Sequence, residues 1–510
     1  MRKRISMLAL AGALVIPGVA LAQEADLAEQ VENLTREVEQ LKVQSQEQQE
    51  YIAGIDDTLW RDMSTRFHWS GDFRSRFDYY TRDRYVGTNY VDPGDGSQMP
   101  TAHKKVSEKN NSLMTNRLRL NMYAQVQDNV EFVGRLAMFK AWGMQNAPTA
   151  DGGFFGGYPS IDGNVGRRPD DSKLLVDRAI VNWNNIGGSN FWFSIGRRPT
   201  TDGPPNQLRM YSDNRMASPV SYMDWPFDGL TIGYAYDSLF NVVDLPGRIR
   251  FCYGRGFEAG LGENTLDDTD FMGISWDIYN QGDRFVYFQS YIAMDVFNYP
   301  DISDSLIAQA LSAPPEEGGM GPRDNIGDIY HTSAMYMDKV ADFNYFIGGG
   351  WSRTDPNSNG MFNDFMAIQM GTDGPNTDSE DGYSIYLGAR YDLPQVAAVK
   401  IGAEYNYGSE YWIGMSPGHD DIYASKLATR GQVFEVYGIY DIPGQAVTRL
   451  GNAFIRFGYQ HYDYDYTGSL DWNMRPYDLS SSSDRQEAVQ MGALAVDNAD
   501  QVYVTFEARF

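Results

Sequence analysis

The sequence predicts an all-β transmembrane antiparallel barrel of about sixteen strands, preceded by a periplasmic α-helical coiled coil. Three observations carry this. Apolar residues alternate with period two over most of the chain after residue 66, and the connections between the alternating segments are short and long in turn. Residues 24–62 instead keep a period of about 3.5, the signature of a helical seam.

Arg2, Lys3 and Arg4 precede an apolar run from Ile5 to Val19, and Ala20-Leu21-Ala22 follows before Gln23. A charged start, an apolar stretch and an A-x-A site together predict a secretory signal peptide over 1–22, removed after Ala22. The run is short for a membrane helix, and no later run of about 18 apolar residues occurs, so helical spans are not expected. Cys252 is the single cysteine of the 510 residues, which leaves no disulfide within the chain, no Cys-rich zinc site and no CxxCH haem attachment. With 68 acidic against 42 basic residues and a net charge of −26, nucleic acid is not an expected partner.

The coiled coil is expected over 23–62. Leu27, Val31, Leu34, Val38 and Leu41 recur at alternating spacings of four and three, and the register passes through polar Ser45 and Gln48 to Ile52, Ile55 and Leu59. Val31 and Val38 take a positions, and Leu34 and Leu41 take d positions. A homo-oligomer through this seam is expected, although β-branched a with Leu at d leaves the strand number open. The alternative is a single amphipathic helix lying on a surface.

From Phe67 the period becomes two. Phe67, Trp69, Phe73, Phe77 and Tyr79 fall on one face, and Asp72, Arg74, Arg76 and Asp78 on the other. The same division places Arg117 and Arg119 opposite Leu118 and Leu120, and Lys400 and Glu404 opposite Val399, Ile401 and Ala403. Strands are expected at 67–80, 113–127, 130–142, 173–184, 190–198, 227–236, 246–256 and 268–278, then at 284–296, 328–340, 343–353, 380–392, 396–408, 429–441, 449–463 and 498–510. Short turns such as Asp128-Asn129, Asn280 to Asp283 and Leu393 to Gln395 alternate with long polar loops at 81–112, 143–172, 199–226, 297–327, 354–379, 409–428 and 464–497, with a shorter one at 257–267. That layout, with an even count, is expected of an outer-membrane barrel whose termini lie on the periplasmic side. In hydrocarbon an open sheet edge leaves unpaired backbone groups, so the last strand is expected to close on the first. In QVYVTFEARF, Gln501 to Phe510, the even positions are then expected to face lipid and the odd ones the lumen.

At these residues the chain resembles bacterial outer-membrane porins. The C-terminal alternation ending in Phe510 resembles the signal such barrels present to the outer-membrane assembly machinery. The runs Thr115 to Leu120, Gln127 to Leu136 and Ser194 to Pro199 are similar to porin-like proteins of an uncharacterised proteobacterial family with an N-terminal coiled coil. The resemblance implies a trimeric or otherwise oligomeric channel in the outer-membrane lipid.

About sixteen strands enclose more space than side chains alone fill. Arg74, Arg76, Arg117, Arg119, Arg135, Arg198, Arg248 and Arg250 face inward by alternation and are expected to line the pore. The loop 199–226, with Asp202, Asp213 and Asp224, is expected to fold inward as a constriction whose carboxylates oppose these arginines and set a transverse field. The alternative is that the arginines pair with Asp72, Asp78 and Asp177 and brace the wall. Asp355 to Gly360 matches the start of a calcium loop, but position twelve is Met366, and an Asx-rich turn is the other reading. The five histidines show no paired metal spacing, and no HExxH or phosphate-loop motif occurs, so no catalytic residue, metal or cofactor is expected. The expected function is passive diffusion of small hydrophilic solutes or ions. The alternative is a structural outer-membrane anchor or partner-holding barrel, either an envelope tether or a sleeve for an electron-carrying partner.

Overall fold

The computed structural model describes residues 67–92, 98–143, 169, 172–198, 203–211, 222–223, 227–238, 245–259, 266–298, 324–396, 398–416, 421–445 and 451–510. The expected signal peptide over 1–22 and coiled coil over 23–62 lie outside the described residues.

Every expected strand is present. In order they are β1 (Phe67–Val91), β2 (Met99–Gln127), β3 (Val130–Ala141), β4 (Leu175–Trp183), β5 (Phe191–Arg198), β6 (Phe227–Tyr236), β7 (Gly247–Phe257) and β8 (Thr269–Gln281). They continue as β9 (Arg284–Phe297), β10 (Asn325–Val340), β11 (Phe343–Pro356), β12 (Asp381–Asp392), β13 (Val399–Gly408), β14 (Gly431–Asp441), β15 (Asn452–Tyr464) and β16 (Val496–Arg509). Neighbours pair in chain order, and β16 closes onto β1, so the sixteen strands form a closed antiparallel barrel. In the closing seam Asp72 lies opposite Arg509, Arg74 opposite Glu507, and Phe77 opposite Val504. Beyond the strand end, Gly71 N–H donates to the Phe510 carbonyl at 2.7 Å, and Phe510 N–H returns to the Gly71 carbonyl at 3.0 Å.

The two faces of each strand differ as the alternation requires. On β16, Val502, Val504 and Phe506 are exposed, while Gln501, Tyr503, Thr505 and Glu507 are buried. The exposed set continues around the outside through Phe73, Phe77, Ile232, Phe251, Ile347, Ile401 and Phe457. A closed sheet that is apolar outside and charged inside satisfies its backbone without water and presents a surface suited to lipid, the construction of a membrane-spanning barrel. The short connections are tight. At the β8–β9 turn, for instance, Gly282 takes φ +61°, a conformation that a residue with a Cβ adopts at a cost.

Two long connections differ from expectation. The region 81–112 is not mainly loop: β1 runs on to Val91 and β2 begins at Met99, paired from Tyr80↔Asn110 to Val91↔Met99. The extension carries polar residues on both faces, so no apolar alternation announces it. Cross-strand ion pairs hold it instead, with Arg82 and Arg84 both on Glu108 at 2.7 and 2.8 Å. The region 464–497 contains a helix, Ser482–Gln490, capped by the Ser481 hydroxyl accepting from Asp484 N–H. This helix docks on the hairpin, where Gln486 and Gln490 both donate to the Pro100 carbonyl at 2.8 and 2.9 Å.

Several long connections enter the barrel. Trp412 and Trp472, both on loops, are 0 % exposed. Trp412 packs with Leu208, Tyr222 and Leu427 against the wall residues Tyr287, Met335 and Tyr386. Trp472 packs with Met361, Phe362, Ile413 and Met415 against Phe271, Tyr291 and Ile329. The apolar core of this membrane barrel is therefore inside it, built from loop side chains on lumen-facing strand residues.

Candidate functional site

Alternation and pairing put the eight expected arginines on the inner face. Asp72 accepts from Arg117 Nη2 at 3.0 Å and from Arg119 Nε at 2.8 Å. Arg76 Nε donates to both Asp78 oxygens at 2.9 Å. Arg135 Nε donates to Asp177 at 2.8 Å. Arg248 and Arg250 share Asp277, at 2.5 and 2.8 Å. Arg74 lies over the Phe139 ring, 5.4 Å from its centroid, and Arg198 donates to Ser194 Oγ at 2.5 Å. Several of these arginines thus brace the wall through cross-strand or same-strand carboxylates, and this accounts for how so many cations are tolerated on one surface.

The connection after β5 folds inward in its described part, residues 203–211. Its described part includes the one-turn helix Gln207–Met210, all four residues of which are buried. Its expected constriction residues Asp202, Asp213 and Asp224 lie outside the described residues. The charge that the described part brings to the wall is a cation. Arg209 Nη1 donates to Asp421 Oδ1 at 2.7 Å and to Glu435 Oε2 at 3.0 Å. Lys426, from the connection after β13, donates to Glu435 at 2.6 Å and also to Glu404. Gln460 Nε2 completes the cluster on Asp421 and Glu435 at 2.9 and 3.0 Å, and Tyr503 donates to Glu435 at 2.7 Å.

Wall cations hold the same segment by its backbone. Arg390 Nη1 donates to the Leu208 carbonyl at 2.9 Å, Arg456 Nη1 to the Arg209 carbonyl at 2.7 Å, and Arg509 Nη2 to the Met210 carbonyl at 2.6 Å. Segment 203–211 is thereby clamped across the inner face of β12–β16. Burial alone would raise the Asp421 carboxyl, but the Arg209 guanidinium and Lys426 ammonium outweigh it and hold that carboxyl below its usual range.

Below the clamp, toward the short turns, lies a cavity of about 480 Å³. Gln207, Leu208 and Tyr211 border it on the loop side, and Asn280, Asp283, Asp338, Lys339, Asn344 and Arg390 on the wall and turn side. This polar vestibule ends on the underside of the clamped segment.

The calcium-loop candidate at Asp355 takes the Asx-turn form, with Asn359 N–H donating to Asn357 Oδ1 at 2.8 Å. Of the clamp residues, Glu404 was visible by alternation, and Glu435 sits at an inward position of Val433-Phe434-Glu435-Val436 that the same rule would have found. Arg209, Asp421 and Lys426 lie on loops without any period, and nothing local marks them.

The geometry defines a closed sixteen-stranded membrane barrel with a charged, loop-clamped interior. The chain belongs to the family described as protein of unknown function DUF3373, matched over residues 107–510. None of the curated proteins matches its sequence. Among solved structures it is similar to an anion-selective porin from Comamonas acidovorans, at 10 % identity and TM-score 0.43, covering 87 % of this chain and 99 % of that one. It is also similar to OprB of Pseudomonas putida, at 12 % identity and TM-score 0.43, covering 90 % and 97 %. A third is OmpT, an outer membrane protein of Vibrio cholerae, at 11 % identity and TM-score 0.40, covering 87 % and 97 %.

Proposed function

We propose that the protein is an outer-membrane channel through which small hydrophilic solutes or ions diffuse passively, with its constriction where segment 203–211 crosses the wall. The observation that carries this is the clamp, because a loop drawn inside a barrel and fixed by Arg209, Arg390, Arg456 and Arg509 narrows a lumen at one level. The vestibule reaching that loop from the short-turn end supports it. In this reading the carboxylates of the connection 199–226 oppose the wall arginines and set a transverse field that sorts solutes by charge. The short turns, the N-terminal coiled coil and the C-terminus are then periplasmic, the C-terminal strand is read by the assembly machinery, and a coiled coil over 23–62 holds a homo-oligomer, with a trimer favoured.

Purified full-length protein in planar bilayers is expected to give stepwise conductance, with a larger unit step once Arg209→Met releases the clamped segment. A second reading, a barrel closed by its loops that serves as an anchor or tether, is favoured by the complete burial of Trp412 and Trp472 inside the lumen. A folded preparation that stays silent until residues 409–430 are removed would select that reading over the first.

A further inference from the structure

A second cavity, of about 80 Å³, opens on the inner wall between β5 and β9, away from the clamp. One water needs about 10–15 Å³, so the space is large enough for a small organic group. Its floor is made where inward positions lack side chains: Gly254 lies opposite Phe271, and Gly273 opposite Cys252. Phe227 and Phe271 stack at 4.5 Å and 29° to form an apolar side, and the Tyr291 ring continues it at 6.3 Å from Phe271. Tyr291 is itself backed by the parallel ring of His331 at 4.9 Å.

Two groups at this cavity are left wanting. Arg198 lines it, and among the described residues its guanidinium has a hydroxyl partner, Ser194, but no carboxylate, whereas Arg248 and Arg250 on β7 are both held by Asp277. Tyr291 also lines it, is 7 % exposed, and among the described residues its hydroxyl has no hydrogen-bond partner. A cation without its anion and an orphan hydroxyl beside a flat apolar wall are costly unless something supplies both an acceptor and a ring-sized body.

We propose that this cavity is a binding site for a small monocarboxylate with a flat apolar body, the carboxylate on Arg198 and the body against Phe227, Phe271 and Tyr291. The site lies apart from the clamp, and its occupancy does not depend on whether the lumen conducts.

Benzoate is the probe, with benzamide as its uncharged counterpart and acetate as the anion without a body. Equilibrium dialysis against the folded full chain in detergent is expected to give saturable benzoate binding, with benzamide and acetate each about tenfold or more weaker. Arg198→Gln is expected to remove the benzoate advantage and leave benzamide unchanged, with heat-modifiable migration as the check on folding. Cys252, the single cysteine, gives a readout in the unmutated protein: benzoate, and not benzamide, should slow its modification by a small methanethiosulfonate. The proposal is overturned by no saturable benzoate binding, by benzamide or acetate binding as well as benzoate, by a folded Arg198→Gln protein that binds like the original, or by a Cys252 that the reagent never reaches or benzoate never protects.

Discussion

Glu435, on the inner face of β14, accepts from Arg209, Lys426, Gln460 and Tyr503, donors that come from two loops and two strands. Removing one partner of such a buried set leaves charge without compensation, which costs more than the net worth of the pair. Arg209→Met is therefore expected to lower unfolding free energy by about 3–5 kcal/mol, measured by urea titration of the protein in lipid vesicles. Pairing it with Glu435→Gln should cost less than the two single changes together, since both break one cluster, and strict additivity would count against the clamp. Asp471, in the loop before β16, carries a pH prediction. Burial pushes its carboxyl up from 3.8 to about 6, although Asn473 and Met474 N–H groups donate to it and Arg430 lies near. A folded value above the unfolded one means that this loop's stability is full below about pH 4 and falls as pH rises through about 6, by on the order of 3 kcal/mol. Hydrogen exchange across 465–480, corrected for intrinsic rates, should show protection declining over that window, and Asp471→Asn should flatten the profile.

At the scale of elements, all sixteen strands were legible because each has one face toward an apolar surface and one toward a polar interior, which writes period two into the chain. Where both faces are wet, as in the hairpin of residues 81–91 and 99–112, the period carries no contrast and strand looks like loop. The bracing of Arg76, Arg117 and Arg135 by Asp78, Asp72 and Asp177 was also readable, since partners on the same or adjacent strands share a face and a register. The clamp was not, because Arg209 and Glu435 are 226 residues apart and meet only after two loops have folded inward. The lipid face gives its own test. Val504 lies between Phe77 on β1 and Phe457 on β15, within the apolar belt at the closing seam. Val504→Arg should destabilise the barrel by about 2–4 kcal/mol if that row sits near the bilayer centre, falling toward zero if it sits at an interface. The same urea titration in vesicles reads the difference.

At the scale of the whole molecule, closure decides where everything else attaches. An even number of strands brings the barrel's first and last residues to the same end, and Gly71 and Phe510 exchange backbone hydrogen bonds there, on the side of the short turns. Phe67 and Arg509 therefore lie at one end of the barrel, opposite the long loops and the helix Ser482–Gln490. Because β16 pairs with β1, the barrel leaves no open sheet edge to join copies, so an oligomer forms either through the barrel's outer side chains or through the heptads. In the proposed function it is the heptad positions Val31, Leu34, Val38 and Leu41 that join the copies. Replacing both Leu34 and Leu41 with Asp puts charge at two consecutive d positions, which a helical seam cannot bury without partners. The expected result is a shift of native mass in detergent from oligomer to monomer, while heat-modifiable migration, which reports the closed barrel, stays as it was. An unchanged mass would assign assembly to the barrel surface instead, and a lost barrel would mean that the heptads are needed for folding and not only for association.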